Sequence, residues 1–291
     1  MRTAIVSFSF AICSLASAAG VLYEGPGMHG SIIVEEDTAG MRTLRFERNG
    51  ARQSVVKPGD PDHLELSYSR TMLAGLALSE RIQRVLVLGL GGGSLPMFLH
   101  KNFSEARIDI AEIDPAVIRV AERFFGVRQD DRLRIHAGDA RAFVEASAPS
   151  RYDVIFVDAF GANSSPAHLT TQEFARALRR AVGEDGMVLG NLWHRPFNAQ
   201  YDSMLLTYRS VFDSTFLLDN PGDANSILVA MPRAYKGDRE QLAARAAALS
   251  RSRNFRVDLG AIVNRAFKPF PPSGLEGKIL VDRDLKAQSS R

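Results

Sequence analysis

The sequence predicts a doubly wound, Rossmann-like α/β fold of seven strands preceded by a small β unit, and three features carry that expectation. From Arg84 onward, short apolar runs alternate with stretches of helical period, the pattern of a parallel sheet covered on both faces. A glycine-rich turn, Leu88-Gly89-Leu90-Gly91-Gly92-Gly93-Ser94, directly follows the first of those runs. The last two strands of the series are joined by a loop too short for a crossover helix, so they pair antiparallel.

In chain order, residues 1–19 read as an export signal. Arg2 supplies the positive start, residues 4–15 an apolar stretch, and Ala16-Ser17-Ala18 the small-residue cleavage pattern. An apolar first helix or a retained anchor is the other reading of this segment. The expected location is periplasmic or secreted. Cys13, the single cysteine, falls within the segment, and Ile12 stands before it where a lipoprotein needs a small residue. Residues 20–65 read as a β-hairpin unit, with apolar alternation at Gly30-Ser31-Ile32-Ile33-Val34 and Thr43-Leu44-Arg45-Phe46-Glu47 and turns at Asp37-Thr38-Ala39-Gly40 and Asn49-Gly50. Residues 66–250 form the Rossmann-like domain. A helix over 66–78 leads into strands at 85–88, 108–111, 133–135, 154–157 and 187–189, near-continuous apolar runs typical of buried parallel strands. Helices are expected at about 95–102, 115–125, 140–148, 171–182 and 199–211, and the antiparallel pair at 214–218 and 226–231. Residues 251–291 read as a tail with a short strand at Ile279-Leu280-Val281 and a polar end that frays.

Composition removes several classes of function. With 291 residues, 45% hydrophobic and 24% charged, the chain buries a full core and is too balanced for disorder. Thirty-six basic against 33 acidic side chains give a net charge of only +3, without the basic stripe that nucleic acid requires. Six scattered histidines and one cysteine provide no disulfide framework and no metal site. No apolar run reaches the roughly 18 residues of a stable membrane span.

The candidate chemistry sits at the ends of the predicted strands. Glycine lets the loop turn tightly and approach a ligand toward which helix N–H groups point, making Gly89, Gly91 and Gly93 candidate contacts. The second strand ends Ala111-Glu112-Ile113-Asp114, a little over twenty residues beyond Gly89, where this fold sets an acid against the two hydroxyls of a ribose. Glu112 is the candidate, and Asp114, before Pro115, reads as a helix N-cap. The third strand ends Ala137-Gly138-Asp139-Ala140. Asp139 either accepts from an adenine amino group, with the Ala140 backbone at the ring edge, or caps the next helix. Asp158 ends the fourth strand, beside the topological switch where open α/β sheets bind ligands. A nicotinamide dehydrogenase would repeat the parallel unit in its second half. The antiparallel ending favours instead the methyltransferase-type sheet that binds adenosyl sulfonium compounds.

Residues 23–231 resemble the spermidine synthases, or polyamine aminopropyltransferases, and the chain reads as a divergent exported member. The resemblance rests on Asn49-Gly50-Ala51-Arg52-Gln53-Ser54, the glycine loop, Ala111-Glu112-Ile113-Asp114, Gly138-Asp139-Ala140, and Asp158 followed by Pro166 and His168-Leu169-Thr170. It implies an aminopropyltransferase-like enzyme that moves an aminopropyl group from decarboxylated S-adenosylmethionine to a small-molecule amine without a metal. It further implies that Gln53 touches the methionine-derived tail, Glu112 the ribose, Asp139 the adenine and Asp158 the attacking amine, and that the protein is a homodimer.

Four positions depart from the family pattern. Gly92 stands where the glycine loop usually carries an Asp, Gly161 where a second Asp follows the fourth strand, Asn220 where a Tyr precedes the proline of the last hairpin, and Ser69-Arg70-Thr71 replaces an acid near Tyr68. Each charge-assisted hydrogen bond lost to a dication forfeits on the order of 1.5–3 kcal/mol, so a weaker or different acceptor is expected. Glu36, Asp37 and Glu65 are substitute acids. Trp193-His194-Arg195 either lines the acceptor pocket or is a packed aromatic beside a solvated basic pair. His168 reads equally as a plain loop residue and Tyr68 as a core ring. Two alternatives remain beside the leading function: an S-adenosylmethionine-dependent methyltransferase, and a non-catalytic nucleoside-binding or interaction protein.

Overall fold

The computed structural model describes residues 20–28, 30–160, 165–270 and 273–289; the segment read as an export signal and position 161 lie outside them. Strands β1 (Gly20–Gly27), β2 (Gly30–Glu36), β3 (Arg42–Arg45) and β4 (Ser54–Val56) form an antiparallel meander in that order. Ile32, Val34, Leu44 and Val56 bury one face of it against Ala116, Val117, Val120 and Phe125. The turn at 37–40 is closed by Asp37 Oδ1, which accepts from the N–H groups of Ala39 and Met41 at 2.9 Å.

Helix α1 (Ser67–Gly75) leads into the second sheet, whose strands are β5 (Arg84–Leu88), β6 (Arg107–Glu112), β7 (Leu133–Ala137), β8 (Val154–Val157), β9 (Met187–Trp193), β10 (Ser214–Leu218), β11 (Asn225–Met231) and β12 (Phe267–Pro269). Between and after them lie α2 (Ser94–Asn102), α3 (Pro115–Val120) with a π-type turn at Ala121–Phe125, α4 (Ala140–Ala146), α5 (Gln172–Val182), α6 (Tyr201–Arg209), α7 (Arg239–Ser252), α8 (Leu259–Ala266) and α9 (Asp282–Ser289). The spatial order is β12-β10-β11-β9-β8-β5-β6-β7. Strands β5 to β9 run parallel, and β11 pairs antiparallel with both β9 and β10, as the short connection requires. Successive residues of β5 serve opposite cores. Val85 and Val87 pack toward Met72, Leu73, Leu242 and Val263, while Leu86 and Leu88 pack toward Phe174, Leu178 and Leu205.

The sheet has eight strands where seven are expected. Residues Phe267 to Pro269 add to the edge of β10, with the Phe216 and Phe267 rings 5.2 Å apart. Three residues that include Lys268 and Pro269 carry no strand period, and Pro is tolerated because the position is an edge. The short strand expected at Ile279-Leu280-Val281 does not form. The Leu280 N–H donates to Thr207 Oγ1 at 2.9 Å and its carbonyl accepts from Gln172 N–H at 2.8 Å, so this backbone is spent on helix ends. Arg141 grips Asp282 through two bonds of 2.7 and 2.6 Å where α9 begins. Among the described residues no helix is long and apolar enough to cross a membrane.

Candidate active site

The chain reverses its direction of sheet growth between β5 and β8, and the glycine loop is wedged into that junction. Gly89 has φ +98°, and a Cβ on it would lie 2.4 Å from the Asp158 carbonyl oxygen. A cleft of about 560 Å³ opens here, walled by Gln53, Gly89, Gly91, Glu112, Asp139, Ala140 and Asp158 among others. The fold thus gathers seven of the eight expected site residues. Gly93 is the exception: at φ +77° it enters α2, and a Cβ would lie 2.4 Å from Val127 Cγ2. Its glycine serves close packing of loop on turn rather than the cleft wall.

Backbone N–H groups hold both acids on the loop side. Glu112, buried at 8% exposure, accepts from Leu90 N–H through Oε2 and from Asp114 N–H through Oε1, both at 2.9 Å. Burial pushes its pKa up, and these two bonds limit the rise. Asp139 Oδ1 accepts from Ala142 N–H at 2.8 Å, the N-cap arrangement weighed as its alternative role, and Oδ2 accepts from His168 Nε2 at 2.7 Å. Burial works to raise the Asp139 pKa, but the Ala142 and His168 bonds outweigh it and leave it lowered. His168 is therefore a partner of Asp139 rather than a plain loop residue. Asp114 caps α3 through Ala116 N–H at 2.8 Å and also accepts from Met28 N–H at 2.7 Å, which ties the meander to the second sheet.

Asp158 is held differently, by side chains. Oδ1 accepts from Asn191 Nδ2 at 2.8 Å and Oδ2 from the Tyr68 hydroxyl at 3.1 Å. Asn225 Nδ2 donates in turn to Asn191 Oδ1 at 2.9 Å, which fixes the Asn191 amide with its nitrogen toward the carboxylate. Although one side of Asp158 faces the cleft, desolvation by the surrounding protein raises its pKa to about 6, against the lowering effect of Asn191 and Tyr68. Burial, then the charge and hydrogen bond of Asp158, push the Tyr68 hydroxyl well above its usual range. A carboxylate with that pKa, ionised near neutrality and backed by fixed donors, is suited to orient an amine and take up its proton. Asn191 and Asn225 are functional candidates that the sequence reading missed. The only trace is an amide inside the otherwise apolar run Met187-Val188-Leu189-Gly190-Asn191-Leu192, buried at 4% exposure.

The departures from the family pattern have structural counterparts. A Cβ on Gly92 would lie 2.9 Å from Ser54 Oγ and 3.0 Å from Phe125 Cδ1, so a side chain there would require Ser54 and Phe125 to shift. Asn220 Nδ2 donates to Thr71 Oγ1 at 3.0 Å, so two departures meet and tie the β10–β11 connection to α1. Of the substitute acids, Glu65 lines the cleft, with His63 Nε2 2.9 Å away. Glu36 instead binds Arg42 within the meander and Asp37 closes its turn. Trp193 lines the cleft and stacks on Phe160 with centroids 5.5 Å apart, whereas His194 binds Ser226 and Asp219 and Arg195 binds Asp202.

Residues 65–204 match the spermine/spermidine synthase domain. A polyamine aminopropyltransferase of Vibrio vulnificus is 32% identical over 217 residues, covering 72% of each chain. Among solved structures, a probable spermidine synthase from Corynebacterium glutamicum superposes with a TM-score of 0.68 at 21% identity, covering 89% of this chain and 99% of that one. Human methyltransferase-like protein 13 in complex with SAH gives a TM-score of 0.58 at 31% identity, covering 64% of this chain and 92% of that one. The chain also matches a mouse eEF1A lysine and N-terminal methyltransferase, 33% identical over 185 residues, of which it spans only 26% of the length.

Proposed function

The chain belongs to the spermine/spermidine synthase family, and from that premise we propose that it transfers an alkyl group from an adenosyl sulfonium donor to an amine, with aminopropyl transfer from decarboxylated S-adenosylmethionine as the first reading. The observation that carries it is Asp158, braced by Tyr68 and Asn191 and facing the same cleft as Glu112 and Asp139. The donor supplies an electrophilic carbon bonded to a positive sulfur. As the amine nitrogen bonds to that carbon, the carbon–sulfur bond breaks and its electron pair stays on a neutral thioether. Asp158 accepts an N–H of the incoming amine, aims the lone pair along the displacement axis and takes the released proton. Each Glu112 oxygen keeps a second lone pair for a ribose hydroxyl. Asp139 and the first N–H of α4, at Ala140, meet the adenine edge, and Gln53 reaches the tail of the donor.

Methyl transfer from S-adenosylmethionine is the second reading, and a specific observation favours it. Gly92 provides no carboxylate for an aminopropyl ammonium, whereas the carboxylate that S-adenosylmethionine carries beside its own ammonium would be repelled by an acid at that position. The methyltransferase complex with SAH, at 31% identity, supports the same donor class. A binding-only protein fits less well, since the braced, cleft-facing Asp158 has the placement and pKa of a working base.

Calorimetric titration of the full chain with methylthioadenosine, S-adenosylmethionine and its decarboxylated form, followed by product analysis with 1,4-diaminobutane, tests the proposal. Asp158→Asn is expected to lower turnover by about 10²- to 10⁴-fold while methylthioadenosine affinity stays within about twofold. Unchanged turnover in that variant removes the assigned base. An aminopropylated product selects the first reading and a methylated product the second.

A further inference from the structure

A second cavity of about 330 Å³ opens off the cleft and shares Phe46, Ala51, Gln53, Trp193 and Ala224 with it. Its remaining wall is Glu47, Gly50 and Phe197. That volume lies within the roughly 300–1,000 Å³ of small-ligand sites. A single exposed aromatic is ordinary on a protein surface. Here Phe197, at 61% exposure, joins Phe46 and Trp193 around one space that connects with the proposed reaction centre.

The connection is close in chain terms. Trp193 on β9 pairs directly with Asn225 on β11, and Asn225 begins the chain of amides that ends on Asp158. Trp193 is braced by its stack on Phe160, an arrangement that holds a flat wall in place. Among the described residues the one ionisable group of the arm is Glu47, which is exposed, so their surface here is aromatic and small apolar without a buried counter-charge. A linear diamine anchored at Asp158 that extended into this arm would strip water from its distal ammonium with only an exposed acid in return. Cation–π attraction offsets that cost in part, whereas an apolar ring gains from both burial and stacking.

We propose that the amine acceptor carries an aromatic or similarly flat apolar group that fills this arm, so that the substrate class is a monocationic arylalkylamine rather than a linear diamine. The inference rests on the amine-acceptor reading above and deepens it. It also fits a site in which position 92 is glycine and the substitute acid on the cleft wall, Glu65, is exposed.

The test is equilibrium binding of 2-phenylethylamine, 4-phenylbutylamine and 1,4-diaminobutane to the full chain, with and without saturating methylthioadenosine, in the native protein and in Phe197→Ala. The better arylalkylamine is expected to bind about tenfold tighter than the diamine. Phe197→Ala, a truncation at an exposed position that leaves the core intact, should weaken it about three- to tenfold and leave the diamine unchanged. Equal or tighter binding of the diamine, absence of arylalkylamine binding, or an unchanged arylalkylamine affinity in Phe197→Ala overturns the proposal. Methylthioadenosine affinity, read in separate titrations, reports on the donor site alone, so a failure there is distinguishable from a failure of the acceptor assignment.

Discussion

On the loop side of the cleft, Glu112 and Asp139 are held chiefly by backbone: the N–H groups of Leu90, Asp114 and Ala142 lie 2.8 to 2.9 Å from their oxygens. Across the cleft, Asp158 is held by side chains alone, from Tyr68, 90 residues away in sequence, and Asn191, 33 residues away. Backbone donors come with the fold and survive most substitutions, so the loop side keeps its geometry while neighbouring side chains drift. Side-chain donors can be exchanged singly, so the Asp158 corner can be retuned without rebuilding the sheet.

The contrast can be broken most severely where the two sides touch. Gly89→Ala places a Cβ 2.4 Å from the Asp158 carbonyl at a φ of +98°, so it strains the loop and displaces Asp158 together. A loss of about 2–4 kcal/mol in denaturant unfolding is expected, with methylthioadenosine binding and turnover falling in parallel. Retention of native stability would show that loop and strand do not approach so closely.

A change confined to the Asp158 corner should have an intermediate effect and a distinct signature. With a pKa of about 6, Asp158 is mostly ionised at pH 7, and turnover should fall about tenfold per pH unit below 6 as this proposed base is protonated. Asn191 donates to the ionised form, so Asn191→Ala favours the protonated form and raises the pKa further. The acid limb of the kcat/KM profile should move upward by on the order of one pH unit, with methylthioadenosine affinity unchanged. A limb that stays in place would separate Asn191 from the base.

The smallest effect belongs to the loop side. Asn caps a helix about as well as Asp, so Asp139→Asn should change stability by only a few tenths of a kcal/mol, measurable as a nearly unchanged Tm. A large drop would mean that the pair with His168, rather than the cap, holds that corner.

Much of the architecture was legible because its causes are local. Alternation within Val85-Leu86-Val87-Leu88, the caps at Asp114 and Asp139, and the Asp37 turn all depend on residues a few positions apart. The three acids were legible because they end strands, and strand ends in this sheet converge on one edge. Asn191, Asn225 and the hydroxyl of Tyr68 were not, since an amide in a buried strand or a ring in a helix has no spacing that names its partner. The eighth strand was hidden for a related reason, because its pairing comes from β10 and not from any period of its own.

The amino-acid order by itself determined the layered sheet, the glycine turn and the acids at the strand ends, through hydrophobic period and backbone preference acting over a few residues. Only the tertiary structure decided that Tyr68 and Asn191 brace Asp158, that Ser54 and Phe125 pack against Gly92, and that Phe46, Trp193 and Phe197 line an apolar arm. These are contacts between segments far apart in the chain, and their energies depend on distances that exist only once the sheet has closed.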